Sequence, residues 1–590
     1  MSELIDKVQD LINKNDVFGA LSKTPLEFLQ EIKSNLIENF DPDEAYEFLQ
    51  LLFLSLAARV GSKTKLDELG QIYELGIEVE SFYNFILRFH YEYYLFLRDK
   101  GKHEEAYHYL YTYYENQLEN CFDELENVEI YRKFSEDLVK LDRYDEAYEY
   151  LFEAEKMMDI FIQINAKENA ITLAKIERQI SLLFMHDSFY DRALEYCENE
   201  EDLLLYMISK DVEFDRYLLA ANYYRQAICH QELKQYSPIL PLLDKAYSVL
   251  QKLLEDEYIR ELKANIFGFK YQVHNHFNQL VEAEENLVKS IYFRKGIELP
   301  NNQIMLAEDL YNLGKLYQNN HRYEKSIVIL KESADSFLEN NLEDAKTLYY
   351  LARISHSLGQ IYLDKQDDYL LNLNFLEAVN YYQKCVEIDE QEYQGDLIRC
   401  CIELGDYYFK RKDNDDAISI YEIPLNYLNQ LIKNNVSTAF KEYAHIVGYL
   451  SQVYYRKKEY DKTIEWGENA LNFYNYIYKK VYPNDFKVHY DITKVVAQSY
   501  LKKQDVDKAI NYYEKGIELL RDIFNSNKSE VLTLLVDLLD NLIAVLEKNN
   551  QRKKEVDYLE QMLRLTENKK NKVLVKYHAK ALKKLKAHKS

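Results

Sequence analysis

Leu313-Gly314-Lys315-Leu316-Tyr317, Leu358-Gly359-Gln360-Ile361-Tyr362 and Leu404-Gly405-Asp406-Tyr407-Tyr408 are copies of one phrase: a small residue, two variable positions, an aromatic. Upstream the phrase reads Phe267-Gly268-Phe269-Lys270-Tyr271, and downstream it decays through Leu450-Ser451-Gln452-Val453-Tyr454 and Val496-Ala497-Gln498-Ser499-Tyr500 to Leu542-Ile543-Ala544-Val545-Leu546. The small-residue position runs Gly268, Gly314, Gly359, Gly405, Ser451, Ala497, Ile543, at intervals of 45 or 46 residues. A constant period of this length marks stacked supersecondary units. Leu310, Leu313, Leu316 and Tyr317 lie three and four residues apart, so they form one apolar stripe of a helix.

A second signal follows several phrases: an aromatic, an acidic residue, one variable position and a small residue. Tyr323-Glu324-Lys325-Ser326, Tyr460-Asp461-Lys462-Thr463 and the variant Val506-Asp507-Lys508-Ala509 carry it. Tyr144-Asp145-Glu146-Ala147, Tyr190-Asp191-Arg192-Ala193 and the weaker His103-Glu104-Glu105-Ala106 extend it upstream, so the repeats begin near residue 86. Each unit is therefore a helical hairpin. A Gly on the first helix lets backbones approach, and Ala147, Ala193, Ala417 or Ala509 on the second is expected to answer it. Asp145, Asp191, Asp461 and Asp507 are expected to cap the second helix and to face its positive dipole end. One hairpin cannot cover its own stripe, so many must stack.

The pattern resembles the tetratricopeptide repeat (TPR), whose first helix carries Leu-Gly-x-x-Tyr. The match runs through Leu310, Leu313, Gly314, Tyr317, Tyr323, Ser326, Leu330 and Ser333, and again through Cys401, Leu404, Gly405, Tyr408, Ala417 and Tyr421. The usual unit is about 34 residues. The longer unit here is similar to the long-helix repeats of kinesin light chains, and the family's Trp and terminal Pro are absent. The resemblance implies an all-α superhelical solenoid of about eleven hairpins. Residues 1–85 are expected to form an N-terminal helical cap, 86–257 divergent repeats, 258–570 regular repeats, and 571–590 a basic C-terminal helix. Extra residues around Asp367 to Phe375 predict a longer loop between the two helices and a shorter second helix.

Composition agrees. Fourteen Gly and 7 Pro in 590 residues are too few for the turns of a sandwich, barrel or α/β fold. The aromatic balance is unusual, with 55 Tyr and 27 Phe against one Trp, and a ring with a polar tip suits half-buried helix seams. A net charge of −26 opposes general nucleic-acid binding. The first residues, MSELIDKVQDLINKND, have no apolar h-region, and no stretch predicts a membrane span. Six cysteines without a paired framework point to a reducing cytoplasm.

No pattern for catalysis, cofactor or metal emerges. Gly61-Ser62-Lys63-Thr64 lacks the P-loop spacing, and His103 and His108 stand five apart where a zinc helix needs four. Cys229-His230, Cys400-Cys401 and the pair His274 and His276 read as helix packing. The sequence thus predicts a non-enzymatic scaffold or adaptor binding a protein or peptide, its oligomeric state unspecified. A peptide-sensing regulator whose superhelix changes shape is the alternative. In the TPR family the first helices line a concave groove. The resemblance carries groove positions onto Arg353, Arg399 and His445, onto His356, and onto Asp364, Lys410, Arg456 and Lys502, with Gln360, Gln452 and Gln498 between. Such a basic, amide-rich face favours acidic peptides or a terminal carboxylate.

Overall fold

Long runs free of Gly and Pro, striped at helical spacing, have little choice but helix, and in the computed structural model all 24 elements among the described residues are α-helices. The structure describes residues 88–589, apart from 300, 340–343, 435, 479–485, 526–530 and 568–570. The expected N-terminal cap and the Gly61–Thr64 segment lie outside these residues.

The helices pair in sequence as antiparallel hairpins within two units, Met1–Phe293 and Arg294–Ser590. In the first unit the hairpins are α1/α2 (Arg88–Asp99, His103–Asn120), α3/α4 (Glu124–Val139, Tyr144–Ile164), α5/α6 (Ala166–His186, Tyr190–Ser209), α7/α8 (Tyr217–Glu232, Ile239–Leu250) and α9/α10 (Glu257–His276, Leu280–Arg294). The second holds α11/α12 (Asn302–Asn319, Tyr323–Leu338), α13/α14 (Ala345–Lys365, Asp368–Ile388) and α15 (Glu390–Arg411) with a divided partner, α16 (Asn414–Glu422) and α17 (Leu425–Lys433). It continues with α18/α19 (Ser437–Arg456, Tyr460–Tyr478), α20/α21 (Phe486–Lys502, Val506–Asn525), α22/α23 (Leu532–Lys548, Arg552–Thr566) and a closing helix α24 (Lys572–Lys589). The chain is an all-α solenoid of helical hairpins, eleven of them among the described residues.

Every hairpin turn is closed the same way. Gly101, Asp142, Ser188, Lys234, Asn278, His321, Gln366, Lys412, Lys458, Gln504 and Asn550 all take the left-handed conformation, with φ between 55° and 71°. The next residue's N–H then returns to the carbonyl five residues back, as in Arg322 to Tyr317, Asp413 to Tyr408 and Asp505 to Tyr500, at 2.8–3.0 Å. This six-to-one bond is the Schellman closure of a helix C-terminus. In the phrase-bearing hairpins of the second unit its acceptor is the last residue of the phrase, which explains why phrase and turn keep step.

The same closure corrects one register. In α9 the acceptor is His274, so the residue equivalent to Gly314 is Tyr271, not Gly268. The Ser290 hydroxyl bonded to Ala264 O and the Ser333 hydroxyl bonded to Ala307 O agree, because both lie 43 residues apart. Upstream, Ser135, Ser181 and Ala227 hold the glycine position without glycine.

The glycine's partner also differs from the expected alanine. A Cβ on Gly314 would meet Leu330 at 2.6 Å, one on Gly359 would meet Phe375 at 2.6 Å, and one on Gly405 would meet Tyr421 at 2.4 Å. The glycine thus admits a large core side chain sixteen residues on. Where the first helix carries Ser451, the glycine sits instead on the second, as Gly467, whose Cβ would meet Ser451 Oγ at 2.8 Å. The small position of the second signal serves as a staple: the Ser326 hydroxyl donates to Gly314 O at 2.7 Å. Ser135 and Ser451 make the reciprocal bonds to Ala147 O and Thr463 O, at 2.9 Å each. A buried bond of this kind contributes about 1 kcal/mol.

The acidic residues of the second signal do not cap. Asp145 and Asp191 are the second residues of α4 and α6, where the capping positions, Arg143 and Phe189, make no side-chain cap bond. They keep the favourable dipole position. In the second unit the corresponding acids reach a cation of the following hairpin: Glu324 to Lys365, Asp368 to Arg411, Asp415 to Lys457 and Asp461 to Lys503. Such exposed pairs are screened by water and set register more than stability. Capping belongs mostly to the first helices, through Asp123, Asn165, Asp256, Asp344 and Asp389.

The longer loop near Asp367 is also overturned. Asp367 caps α14 by accepting from Leu370 N at 3.1 Å, and the helix runs unbroken for 21 residues. Register survives because only Asp389 separates α14 from α15. Pro424, lacking an N–H, divides the partner of α15 at the start of α17.

The tyrosines tie hairpin to hairpin. Tyr91, Tyr94 and Tyr114 of the first hairpin all donate to Asp137 of α3, at 3.1, 3.3 and 2.8 Å. Tyr107 reaches Glu146, Tyr148 reaches Asp187, Tyr349 reaches Asp396 and Tyr407 reaches Asp368. Each ring packs in the core while its hydroxyl meets a carboxylate of the neighbouring repeat. Leu574, Ala581 and Leu585 of α24 are buried on the final hairpin, and Lys580 and Lys584 pair with Asp540 and Glu547.

Candidate functional site

The groove positions sit on α13, α15, α18 and α20 of the second unit, successive first helices whose exposed faces adjoin. His356 on α13 is buried, its Nε2 3.0 Å from Glu403 Oε2 on α15. Gln360 Nε2 donates to the same Glu403 oxygen at 2.9 Å, and Gln318 of α11 donates to Gln360 Oε1 at 3.2 Å. One polar chain therefore crosses three repeats. Burial pushes the Glu403 carboxyl up, but the bonds from His356 and Gln360, with the charge of Arg399, outweigh it and hold its pKa below the usual value.

Arg353 is half-buried, its guanidinium 4.7 Å from the Tyr311 ring centre, 5.3 Å from Tyr349 and 5.6 Å from Tyr350. Arg399 is two-thirds exposed and pairs at 3.2 Å with Asp396, which also accepts the Tyr349 hydroxyl at 2.7 Å. Burial, then Asp396, pushes the Tyr349 phenol up to about 12, so it stays a donor at any physiological pH. His445 lies 2.8 Å from Asp406, whose same oxygen accepts the Tyr421 hydroxyl at 2.5 Å. Arg456 lies over Phe409, its guanidinium carbon 3.9 Å from the ring centre, and donates to Phe409 O at 2.8 Å. Gln498 accepts from Tyr455 at 2.8 Å, Gln452 is half-buried, and Lys410 and Lys502 are exposed. Asp364 is exposed and accepts from Tyr323 at 2.7 Å.

The structure thus gathers His356, Gln360 and Arg399 around Glu403, places His445 on Asp406, and leaves Lys410 and Lys502 as separate surface cations. It also corrects the charge of the face. Asp396, Glu403 and Asp406 stand among the cations, so the face is a mixed network and not an uncompensated basic strip. The sequence signal for these acids was available: His356 to Glu403, Tyr349 to Asp396 and Tyr490 to Asp537 are each 47 residues apart, one repeat plus one.

Among the described residues no helix is long and apolar enough to cross a membrane, and no three His, Cys, Asp or Glu side chains converge as a metal group would require. The tetratricopeptide repeat family model matches residues 495–522. No curated protein matches the sequence. Similar solved structures include a kinesin light chain candidate of nearly identical TPR-like repeats from Podosopora anserina, 14% identical, TM-score 0.28, spanning 35% of this chain and 94% of that one. BtubC (BKLC) of P. vanneervenii is 16% identical with a TM-score of 0.31 over 40% and 88% of the two chains. The S. pombe nuclear import adaptor Nro1 is 15% identical with a TM-score of 0.32 over 45% and 94%. The matched residues take in the second half of α20, the turn at Gln504 and most of α21, and the repeated hairpins of the described residues are tetratricopeptide-like.

Proposed function

We propose that this protein is a non-enzymatic interaction scaffold, working in a reducing cytoplasm, whose adjoining first-helix faces from α13 to α20 receive an acidic segment of a partner protein. The supporting observation is the way this face is held. Buried His356 and half-buried Gln360 and Asp406 lock into bonds between repeats, and Arg399, Lys410, Arg456 and Lys502 are exposed beside them. Pre-ordered side chains lose little entropy on binding, which favours recognition of a flexible segment. The acids within the face are engaged by their own neighbours, Asp396 by Tyr349 and Arg399, Glu403 by His356 and Gln360, and Asp406 by His445 and Tyr421, so the exposed Lys410, Arg456 and Lys502 carry the positive charge offered to a ligand.

The test is capture of partners from native lysate by the full chain, followed by release with acidic or basic competitor peptides. Acidic peptides are expected to release the partner and basic ones to leave it bound. Arg399→Glu with Arg456→Glu is expected to weaken capture by about tenfold or more, the loss of two charge-assisted contacts. Unchanged capture by the double variant would refute the assignment.

A further inference from the structure

The two faces of the basic helix α24 are employed differently. Its inner face is used up within the fold, against α22 and α23. Leu574, Ala581 and Leu585 are buried there, Lys580 and Lys584 pair with Asp540 and Glu547 at 2.7 and 2.5 Å, Tyr577 donates to Asp537 at 2.9 Å, and His588 stands 3.0 Å from buried Glu555. These contacts fix the rotation of the helix, and so fix what its other face presents.

That face is a stripe of lysines. At about 100° per residue, Lys572, Lys576, Lys583 and Lys586 fall within an arc of about 80°, opposite Leu574, Ala581 and Leu585. They extend over about 21 Å at 1.5 Å per residue. All four are exposed and form no ion pair among the described residues, and α24 contains no acidic residue. Val575 and Leu582, 49% and 41% exposed, run along one edge of the arc two turns apart.

The stripe calls for an anionic partner, and its chemistry narrows which. A convex helix face offers no cleft to enclose a ligand, and lysines act as point charges without the planar fork that selects one carboxylate or phosphate geometry. A nucleic acid would meet no exposed aromatic ring on this face to stack its bases, and it would leave Val575 and Leu582 in water. A lipid surface uses both features. Its phosphate layer answers spread positive charge without shape matching, and valine and leucine at the edge of the stripe reach the acyl boundary beneath.

We propose that the outer face of α24 docks the protein on an anionic phospholipid membrane, the helix lying along the surface without crossing it. Sedimentation of the full chain with vesicles tests this. The chain is expected to sediment with phosphatidylcholine vesicles carrying about one phosphatidylserine in three lipids, and to stay in solution with phosphatidylcholine alone. Replacing Lys572, Lys576, Lys583 and Lys586 together by Gln is expected to weaken binding several hundredfold, at about fivefold for each lysine near the surface. Replacing Lys325, Lys331, Lys384 and Lys433 by Gln removes the same charge from other helices and should leave binding within about twofold. Val575→Ser with Leu582→Ser, which changes no charge, is expected to weaken it about fivefold or more.

The proposal is overturned if the anionic vesicles do not bind, if phosphatidylcholine alone binds equally well, or if the two lysine variants lose binding to the same degree. It is also overturned if Val575→Ser with Leu582→Ser binds as the parent does, since the apolar edge would then have no part. Tighter binding of polyuridylate or polyglutamate than of the vesicles would make the partner a nucleic acid or an acidic protein and refute the membrane.

Discussion

Gly405→Ala sets two effects of opposite sign against each other. Replacing a mid-helix Gly by Ala favours the helix by about 1 kcal/mol. Against this, the new methyl would lie 2.4 Å from Tyr421 Cε1, with Cδ1 at 2.6 Å and Cζ at 2.8 Å, so a whole ring edge must retreat. The ring has nowhere to go. It is fully buried, and its hydroxyl holds the Asp406 oxygen that also engages His445. Overpacking of this kind costs about 3 kcal/mol, which leaves a net loss of roughly 2 kcal/mol. In a solenoid the loss should be local, so hydrogen exchange read hairpin by hairpin is the assay. Amides of α15 are expected to exchange about thirtyfold faster, with α22 and α23 unaffected. Tyr421→Ala alone should cost about 3–5 kcal/mol, but in that background Gly405→Ala should become favourable by about 1 kcal/mol. If Gly405→Ala is neutral with Tyr421 in place, the close approach is not what the glycine provides, and the reasoning fails.

Asp137→Ala would strand the hydroxyls of Tyr91, Tyr94 and Tyr114 together with Lys140, and a loss of about 3–4 kcal/mol is expected in exchange protection of α1 to α3. Burial, then the charge of Glu155, raises the pKa of Glu177 to about 8, so the native state keeps a proton that the unfolded chain loses. Its stabilising contribution is complete at acid pH and disappears as the pH rises through about 8; Glu177→Gln should therefore gain on the parent by roughly 3 kcal/mol between about pH 5 and pH 8, and parallel melting curves across that range would contradict it. Lys412→Gly and Lys458→Gly relieve left-handed residues, at φ 69° and 64°, and each should raise the melting temperature in a thermal scan, by about 0.5–1 kcal/mol of stability.

The period was legible because the phrase ends where the backbone closes: Tyr317, Tyr362, Tyr408, Tyr454 and Tyr500 are both the last residues of the phrase and the acceptors of the turn bond. Where a phrase-like string fell three residues early, as at Gly268, composition alone misled, since only the closure identifies the true position. The acidic residue of the second signal was visible, but its partner was not, because capping is a local guess and the Lys or Arg it meets lies about a repeat away. Insertion near Asp367 was visible too, but a string of helix-compatible residues does not say whether it extends the helix or the loop. On the candidate face the cations were read from a family pattern, which has no column for the acids that answer them.

The ladder of acid and cation has a bearing on how such a chain can change length. Glu324 with Lys365, Asp368 with Arg411, Asp415 with Lys457 and Asp461 with Lys503 present the same order of charge at every junction. A gene that lost or duplicated one period between residues 324 and 503 would bring an acid of one copy against a cation of another and meet the same pairing it had before. Unequal crossing-over within that stretch is therefore expected to yield foldable products far more often than cuts at arbitrary positions, and the number of units is the quantity most open to evolutionary drift.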